Sequence, residues 1–338
     1  MIRYIAAIGA VVAMLAVSPR QASAEEYIMK FGTVAPSGTP WAKLLQEFKK
    51  AVETRTNKGV KIKLFLNGIK GAELRLVRDL ADGDLQGVGA SAGAYASIVK
   101  EVSAFEAPYL FRSPKEADYV IDLKVKALLK KYFRKKGIIY GFPNENGFRH
   151  FGFRGSSPIK TWKDLAGKEM RSQPSWVHRK MWTSWKAIPK AIPMTEVTTN
   201  LKTKAVRGFD NSLLIMYAAG WYKHVNNVTL SAHMYQPAFI CYNAKWFDKL
   251  PAKYQKALRE EGAKLVRRGR TMVRSLNRVW YNAIKKRKGM TVVKLTKGAR
   301  RDFENRSKSV RSSFSGSSRT LLNAIIRGVK QYRSRFGG

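Results

Sequence analysis

The chain has 338 residues, 64 of them Lys or Arg against 23 Asp or Glu, for a formal net charge of +41. That length exceeds the usual size of a single hydrophobic core and favours two lobes. Cys241 is the lone cysteine, which excludes an intramolecular disulfide framework, so stability must come from packing.

Arg3 precedes an apolar run over 5–17, and the small-residue site Ala22-Ser23-Ala24 stands before Glu25. This is the anatomy of a cleaved secretory signal peptide, predicted over residues 1–24. The run is shorter than the ~20 residues a spanning helix needs, so export is expected rather than a permanent anchor. Without Arg3 and Arg20 the 64 basic residues become 62 and the net charge +39. A field of that sign concentrates anions. The cations are nevertheless spread in short clusters, such as Lys135-Lys136, Arg267-Arg268 and Lys285-Lys286-Arg287-Lys288. That pattern favours solvated faces over a dedicated polyanion arm, and no nucleic-acid partner is expected.

The mature chain opens with a strand over 27–33. Thr39 and Pro40 then read as N-cap and first residue of a helix. Trp41, Leu44, Leu45, Phe48 and Val52 fall on one helical face, and Val60, Ile62 and Leu64 alternate as a strand. The rhythm continues with a helix over 73–80, a strand over 87–91, a long helix over 116–133 and a strand over 138–140. After Phe153 it resumes: a short helix over 162–165, a strand over 169–171, helices over 176–185 and 196–202, and a strand over 205–209. Strands alternating with helices predict an α/β fold with a mostly parallel sheet. The spacing over 251–284 predicts one helix long enough to span both lobes. The serine-rich stretch 307–318 reads as a loop before a final helix carrying Leu321, Leu322, Ile325, Ile326 and Val329.

Gly89-Ala90-Ser91-Ala92-Gly93 has the spacing of a nucleophile elbow, with Asp210 and His233 following in hydrolase order. No upstream oxyanion segment accompanies it. The overlapping Gly87–Ala92 dinucleotide pattern lacks a good preceding strand and an acidic residue ~20 positions on. His150, His178, His224 and His233 show no metal-ligand spacing. Asn144 to Phe151 is a polar and aromatic segment at the junction between the lobes, where ligand sites tend to form. Arg149 and Arg171 are apt carboxylate receptors, because guanidinium offers a planar fork that lysine lacks.

Several segments together resemble the solute-binding proteins of TRAP transporters, of the C4-dicarboxylate-binding type. They are Pro36-Ser37-Gly38-Thr39-Pro40-Trp41, Gly83-Asp84-Leu85-Gln86-Gly87-Val88 with Ser91-Ala92-Gly93-Ala94, and Phe105-Glu106-Ala107-Pro108-Tyr109-Leu110-Phe111. Further on come Asn146-Gly147-Phe148-Arg149-His150-Phe151, Pro158-Ile159-Lys160, Asp164-Leu165-Ala166-Gly167-Lys168-Glu169-Met170-Arg171 and Gly208-Phe209-Asp210-Asn211. The resemblance implies a two-lobed periplasmic-binding-protein-like fold with a ligand cleft between the lobes. On that reading residues 25–146 form lobe I with a return segment 237–275, and 147–236 form lobe II with the C-terminal segment 276–338.

Arg171 stands where the family's "DLKGxKxR" segment places its principal carboxylate contact. Asn211 stands in the family's "DGQENP" segment, where an asparagine supports the same carboxylate. Arg149 matches the second arginine, of "NGxRxx", which approaches another oxygen or the far end of the ligand. Glu73 lies at "GGExE" and is expected to orient these arginines or ligand hydroxyls, although Ala72 and Leu74 depart from that pattern. Trp41, Ser91 and Tyr235 are further ligand-binding candidates, and Trp176 is another aromatic near the expected cleft. The "EWVGP" segment of the family's cation-dependent branch is absent after Asp210, which implies no metal and no cofactor. The implied partners are a small carboxylate and the TRAP membrane subunits, and the implied place is the periplasm. Two alternatives stand beside this: an exported polyanion-binding protein using its basic surface, and an exported serine hydrolase using Ser91.

Overall fold

A computed structural model describes residues 26–337, so the expected signal peptide lies outside the described residues. The strands are β1 (Tyr27–Gly32), β2 (Val60–Phe65), β3 (Gly87–Ser91), β4 (Ile138–Phe153), β5 (Glu169–Ser172), β6 (Ile188–Ala191), β7 (Gly208–Asn211), β8 (Asn227–Asn243) and β9 (Thr291–Lys294). The helices are α1 (Pro40–Arg55), α2 (Glu73–Asp82), α3 (Ala92–Tyr95), α4 (Pro114–Tyr119), α5 (Lys126–Arg134), α6 (Trp176–Ser184), α7 (Val197–Lys202) and α8 (Leu213–Ala218). They continue with α9 (Ala244–Lys249), α10 (Ala252–Lys285), α11 (Lys297–Arg306), α12 (Lys308–Ser312) and α13 (Gly316–Phe336).

The first cycle forms as its pattern predicts. Thr39 caps α1 by accepting from the Ala42 N–H, Pro40 occupies the first turn, and Trp41, Leu44, Leu45, Phe48 and Val52 are its buried face. That face packs with Met29, Phe31, Val60 and Ile62 of the strands and with Leu258 and Val273 of α10.

The sheet is mixed rather than mostly parallel. Its order is β2-β1-β3-β8-β4-β7-β5-β6, with β9 on β8. The flanks are parallel, but β3–β8, β8–β4 and β4–β7 are antiparallel. β4 and β8 are the reason. They span 16 and 17 residues, pair along most of their length, and run unbroken from one lobe into the other. The segment Asn144 to Phe151, expected at a junction, is therefore the middle of a strand. Bulges near Gly141, Asn146 and His150 break its alternation and re-aim successive side chains. At the second of them Gly147 holds φ of 90°, a conformation suited to glycine.

Other departures are local. The helix expected over 116–133 is interrupted by a π-helical turn, Val120–Lys124, and restarts at α5. The serine-rich stretch is mostly helical, as α12 and the first turn of α13. Its apolar anchors, Val310 and Phe314, are too widely spaced to announce a helix but are buried in the core.

α10 is 34 residues long and touches α1, β4 and α8, so it bridges the two lobes. Close approach to β4 and α1 is allowed by glycine: a Cβ at Gly262 would lie 2.3 Å from Phe142, and one at Gly269 3.0 Å from Leu44. The C-terminal segment does not keep to lobe II. α11 packs on the turn Trp162–Leu165 and α12 on α6, but α13 lies against Lys100–Glu106, α4 and the π-helical turn. Its apolar stripe finds its partner there, in Val102, Phe105 and Val120. Among the described residues no helix is long and apolar enough to cross a membrane.

Candidate functional site

A cavity of about 540 Å³, counting its open mouth, lies at the carboxyl ends of the strands. Thr33 follows β1, Ser91 ends β3, Arg171 and Gln173 stand at the end of β5, and Asn211 ends β7. This is where open α/β sheets place ligands, because chain turns there leave a crevice between the layers. Trp41, Glu73 and Arg149 also line it. Six of the seven sequence-predicted site residues are thus brought together.

The two arginines differ in what they hold. The Arg149 guanidinium is buried and engaged on all three nitrogens. Its Nε donates to Asp210 Oδ2 at 2.5 Å, Nη1 to Gln236 Oε1 at 2.6 Å and Asn211 Oδ1 at 3.4 Å, and Nη2 to the Asp210 carbonyl at 2.6 Å. Arg171 is only 2% exposed, yet among the described residues it has one hydrogen bond, from Nε to the Ile192 carbonyl at 2.9 Å. Its Cζ lies over the Trp221 ring at 5.7 Å, which holds the plane of the group. Both terminal nitrogens are left with no partner among the described residues. Burial, and secondarily the Arg149 charge, push its pKa down to about 10.

Asn211 completes the arrangement by elimination. Its Oδ1 accepts from the Ser212 N–H at 2.8 Å and from Arg149, so the amide NH2 has no partner among the described residues. Ser212 caps α8 and fixes the turn that follows β7.

Behind Arg149 lies a buried polar cluster. Asp210 receives His233 Nε2 at 3.2 Å, and His233 Nδ1 meets Ser231 Oγ at 2.7 Å. Burial raises the Asp210 carboxyl, but Arg149, His233 and His178 more than offset this and hold it well below the usual range. Glu106 is likewise lowered: burial pushes it up, and His178, Gln236 and Arg149 outweigh that. Gln236 Nε2 donates to Glu106 at 3.1 Å and to Gln173 Oε1 at 2.7 Å, which ties the cluster to the cavity wall.

Glu73 bonds Ser91 rather than an arginine: it accepts from the Ser91 N–H and hydroxyl, both at 2.9 Å. Burial raises its pKa. Ser91 is thereby a helix cap held by a carboxylate, while Asp210 and His233 serve Arg149, so the hydrolase constellation does not assemble. Gly89 and Gly93 answer to packing instead, since a Cβ would lie 2.9 Å from Trp41 and 2.1 Å from Gln173. The Trp41 indole donates to the Glu145 carbonyl at 3.1 Å and presents its ring to the cavity.

Tyr235 is the residue the structure removes from the cavity. Its hydroxyl donates to Glu145, and its ring packs on Phe111 and Phe148. Trp176 is also elsewhere, against Phe314. Gln173, Gln236, Asn146 and Met194 line the cavity without having been anticipated. Gln173 was within reach, because it follows Arg171 by two and so shares its side of the strand. Gln236 lies on β8, which carries no readable pattern.

The cavity thus holds a buried guanidinium, Arg171, whose terminal nitrogens have no partner among the described residues. The chain belongs to the bacterial extracellular solute-binding protein family 7 (DctP), whose model matches residues 31–316. It is 32% identical over 226 residues to a solute-binding protein of Verminephrobacter eiseniae, covering 66% of this chain and 67% of the relative. It is 26% identical to the C4-dicarboxylate-binding periplasmic protein DctP of Shewanella loihica, covering 68% of each. The solved sugar acid binding protein DctPAm of Advenella mimigardefordensis, in complex with galactonate, matches with a TM-score of 0.86 at 25% identity, over 91% of this chain and 99% of that one. These likenesses place the chain among TRAP transporter solute-binding proteins, as its motifs suggested.

Proposed function

We propose that this protein works in the periplasm, captures a small hydroxylated organic acid between its lobes, and presents it to TRAP membrane subunits. The observation that carries the reading is the Arg171 guanidinium, buried with two terminal nitrogens free and the Asn211 amide beside it. A ligand carboxylate meets the fork with two charge-assisted hydrogen bonds, each contributing ~1.5–3 kcal/mol when sheltered from water, against ~0–1 kcal/mol for an exposed pair.

Arg149 commits four of its five N–H donors to the protein itself, so Arg171 is the cation the cleft chiefly offers to the ligand. Apart from Glu73, whose carboxylate is taken up by Ser91, the remaining polar lining is neutral: Thr33, Ser91, Asn146 and Gln173 suit hydroxyls, and Trp41 and Met194 cover apolar faces. That set favours a monocarboxylic sugar acid, the class named for the Advenella protein, over a dicarboxylate. Closure bends the molecule where β4 and β8 cross, near 146/147 and 236/237. On this reading 25–146 with 237–275 moves against 147–236, and the C-terminal segment divides between them.

A melting-temperature screen of galactonate, glucuronate and succinate tests the class, since binding to the native state raises the midpoint. The sugar acids are expected to give the larger shift, and a larger shift with succinate overturns the preference. For the acid selected, Arg171→Lys is expected to weaken calorimetric affinity at least about tenfold through loss of the fork. Unchanged affinity removes Arg171 from the primary role.

A further inference from the structure

The molecule has a second concave region, beside the buried cluster, where Tyr109 and Arg300 bond the His233 and Ser231 carbonyls. It encloses about 1370 Å³ counting its mouth, between α11, α12 and α13 and the turn that carries Tyr109. We propose that this groove is a separate binding site for a compact multivalent anion bearing phosphoryl groups, such as an oligophosphate or a phosphate headgroup.

Three of its cations are fixed in place. Arg300 lies over the Tyr109 ring at 4.8 Å and donates to the Ser231 carbonyl at 3.3 Å. Arg311 reaches the Pro108 carbonyl from Nε at 3.1 Å and Nη2 at 2.5 Å, and Arg333 pairs with Glu116 at 2.7 Å. Lys297, Arg301 and Lys330 also line the groove, and their side chains have no ion pair or hydrogen bond among the described residues. Glu304 is the carboxylate in the lining, 3.8 Å from Arg311. Cations crowded this way repel one another unless something anionic joins them.

The second observation is the Tyr109 phenol. Tyr109 is 4% exposed and lines the groove, and its buried hydroxyl has no partner among the described residues. A buried hydroxyl left unpaired costs about 1–3 kcal/mol, which a small turn of the ring towards an acceptor in the groove would relieve. The residue is held there by a φ of 54°, unusual for a tyrosine, and by its N–H donating to the His233 carbonyl at 2.7 Å.

The excess of cations over carboxylates sets the ligand class. A carboxylate brings one charge, whereas a phosphomonoester or terminal phosphoryl group brings about −1.5 to −2 and three acceptor oxygens that match guanidinium forks. The concave, cation-lined walls suit a compact group rather than the flat acidic face of a protein.

The test is calorimetry of the mature protein with tripolyphosphate at fixed ionic strength, together with sedimentation on vesicles that contain phosphatidic acid, whose headgroup is a phosphomonoester. K297Q/R301Q/K330Q is expected to weaken tripolyphosphate about tenfold or more, while K135Q/K136Q/K285Q, which removes equal charge elsewhere, changes it less than about twofold. Tyr109→Phe, which alters no charge, is expected to weaken it about threefold, and Arg171→Lys to leave it unchanged. Vesicle binding that the first triple variant abolishes assigns the headgroup as the source, and tripolyphosphate binding without vesicle binding assigns a soluble phosphate. Equal effects of the two triple variants, loss of binding in Arg171→Lys, or no saturable binding of either probe overturns the proposal.

Discussion

Arg149 and Arg171 sit in one cavity wall, both buried and both on strands, yet they do opposite things with their charge. Arg149 spends its donors inside the protein, on Asp210, Gln236 and Asn211. Arg171 keeps its terminal donors unspent. The difference teaches that burial of a cation does not mark a binding site. Unused hydrogen-bonding capacity facing a cavity is the better pointer, because a folded chain pairs the great majority of its buried polar groups.

The comparison breaks most visibly under substitution to methionine. Arg149→Met strands Asp210 without its main partner in a site where neither is exposed, and breaking such a pair costs about 3–5 kcal/mol. Arg171→Met removes a charge that the folded state disfavours, as its lowered pKa records, so the urea midpoint is expected to hold or rise. Equal losses in the two variants would mean that Arg171 is as structural as Arg149.

Acid separates the two sides next. Burial pushes His233 down to about 4 and His150 to about 3, from 6.5. Below pH 6.5 the unfolded chain takes up these protons and the folded one does not, so stability falls as the pH drops towards 4. The slope is about 1.4 kcal/mol per pH unit for each histidine. Asp210, held well below 3.8, stays ionised through this window. His150→Gln is expected to remove one proton from the slope, read from urea midpoints between pH 6.5 and 4, whereas Arg171→Met leaves it intact.

Arg171 and Asn211 were legible through the family motifs at 164–171 and 208–211 rather than through local chemistry, because an arginine or asparagine near a strand end reads the same whether it meets solvent or a ligand. Tyr235 misled because an aromatic next to a predicted cleft looks the same whether it faces ligand or core, and here Glu145 claims its hydroxyl. β4 and β8 left no signature. β8 is buried on both faces, so it shows no alternation, and Pro237 sits inside it. β4 carries Pro143, three glycines and three bulges, which scramble the period of two. With those strands unread, the antiparallel centre of the sheet and the place of Gln236 were out of reach. α10 was legible because a helix of 34 residues repeats its pattern many times, although which lobe α13 would join depended on contacts distant in sequence.

Asn211 stands between the two arginines and offers the finest test of the division. Its carbonyl belongs to the Arg149 side, accepting from Arg149 and the Ser212 N–H, and its NH2 has no partner among the described residues and is proposed to serve the Arg171 side. Asn211→Asp keeps the acceptor and replaces only the donor, so the bonds that position β7 and α8 survive and the melting temperature of the free protein should hold or rise. The new carboxylate faces the Arg171 fork, supplies it with an internal partner, and repels the ligand's own carboxylate. Affinity for the selected acid is expected to fall about tenfold, roughly one hydrogen bond to a charged group, in a calorimetric titration at neutral pH. Undiminished affinity would place the Asn211 amide outside ligand contact and leave Arg171 to hold the carboxylate alone. A fall in stability without a fall in affinity would instead assign the whole of Asn211 to the Arg149 side.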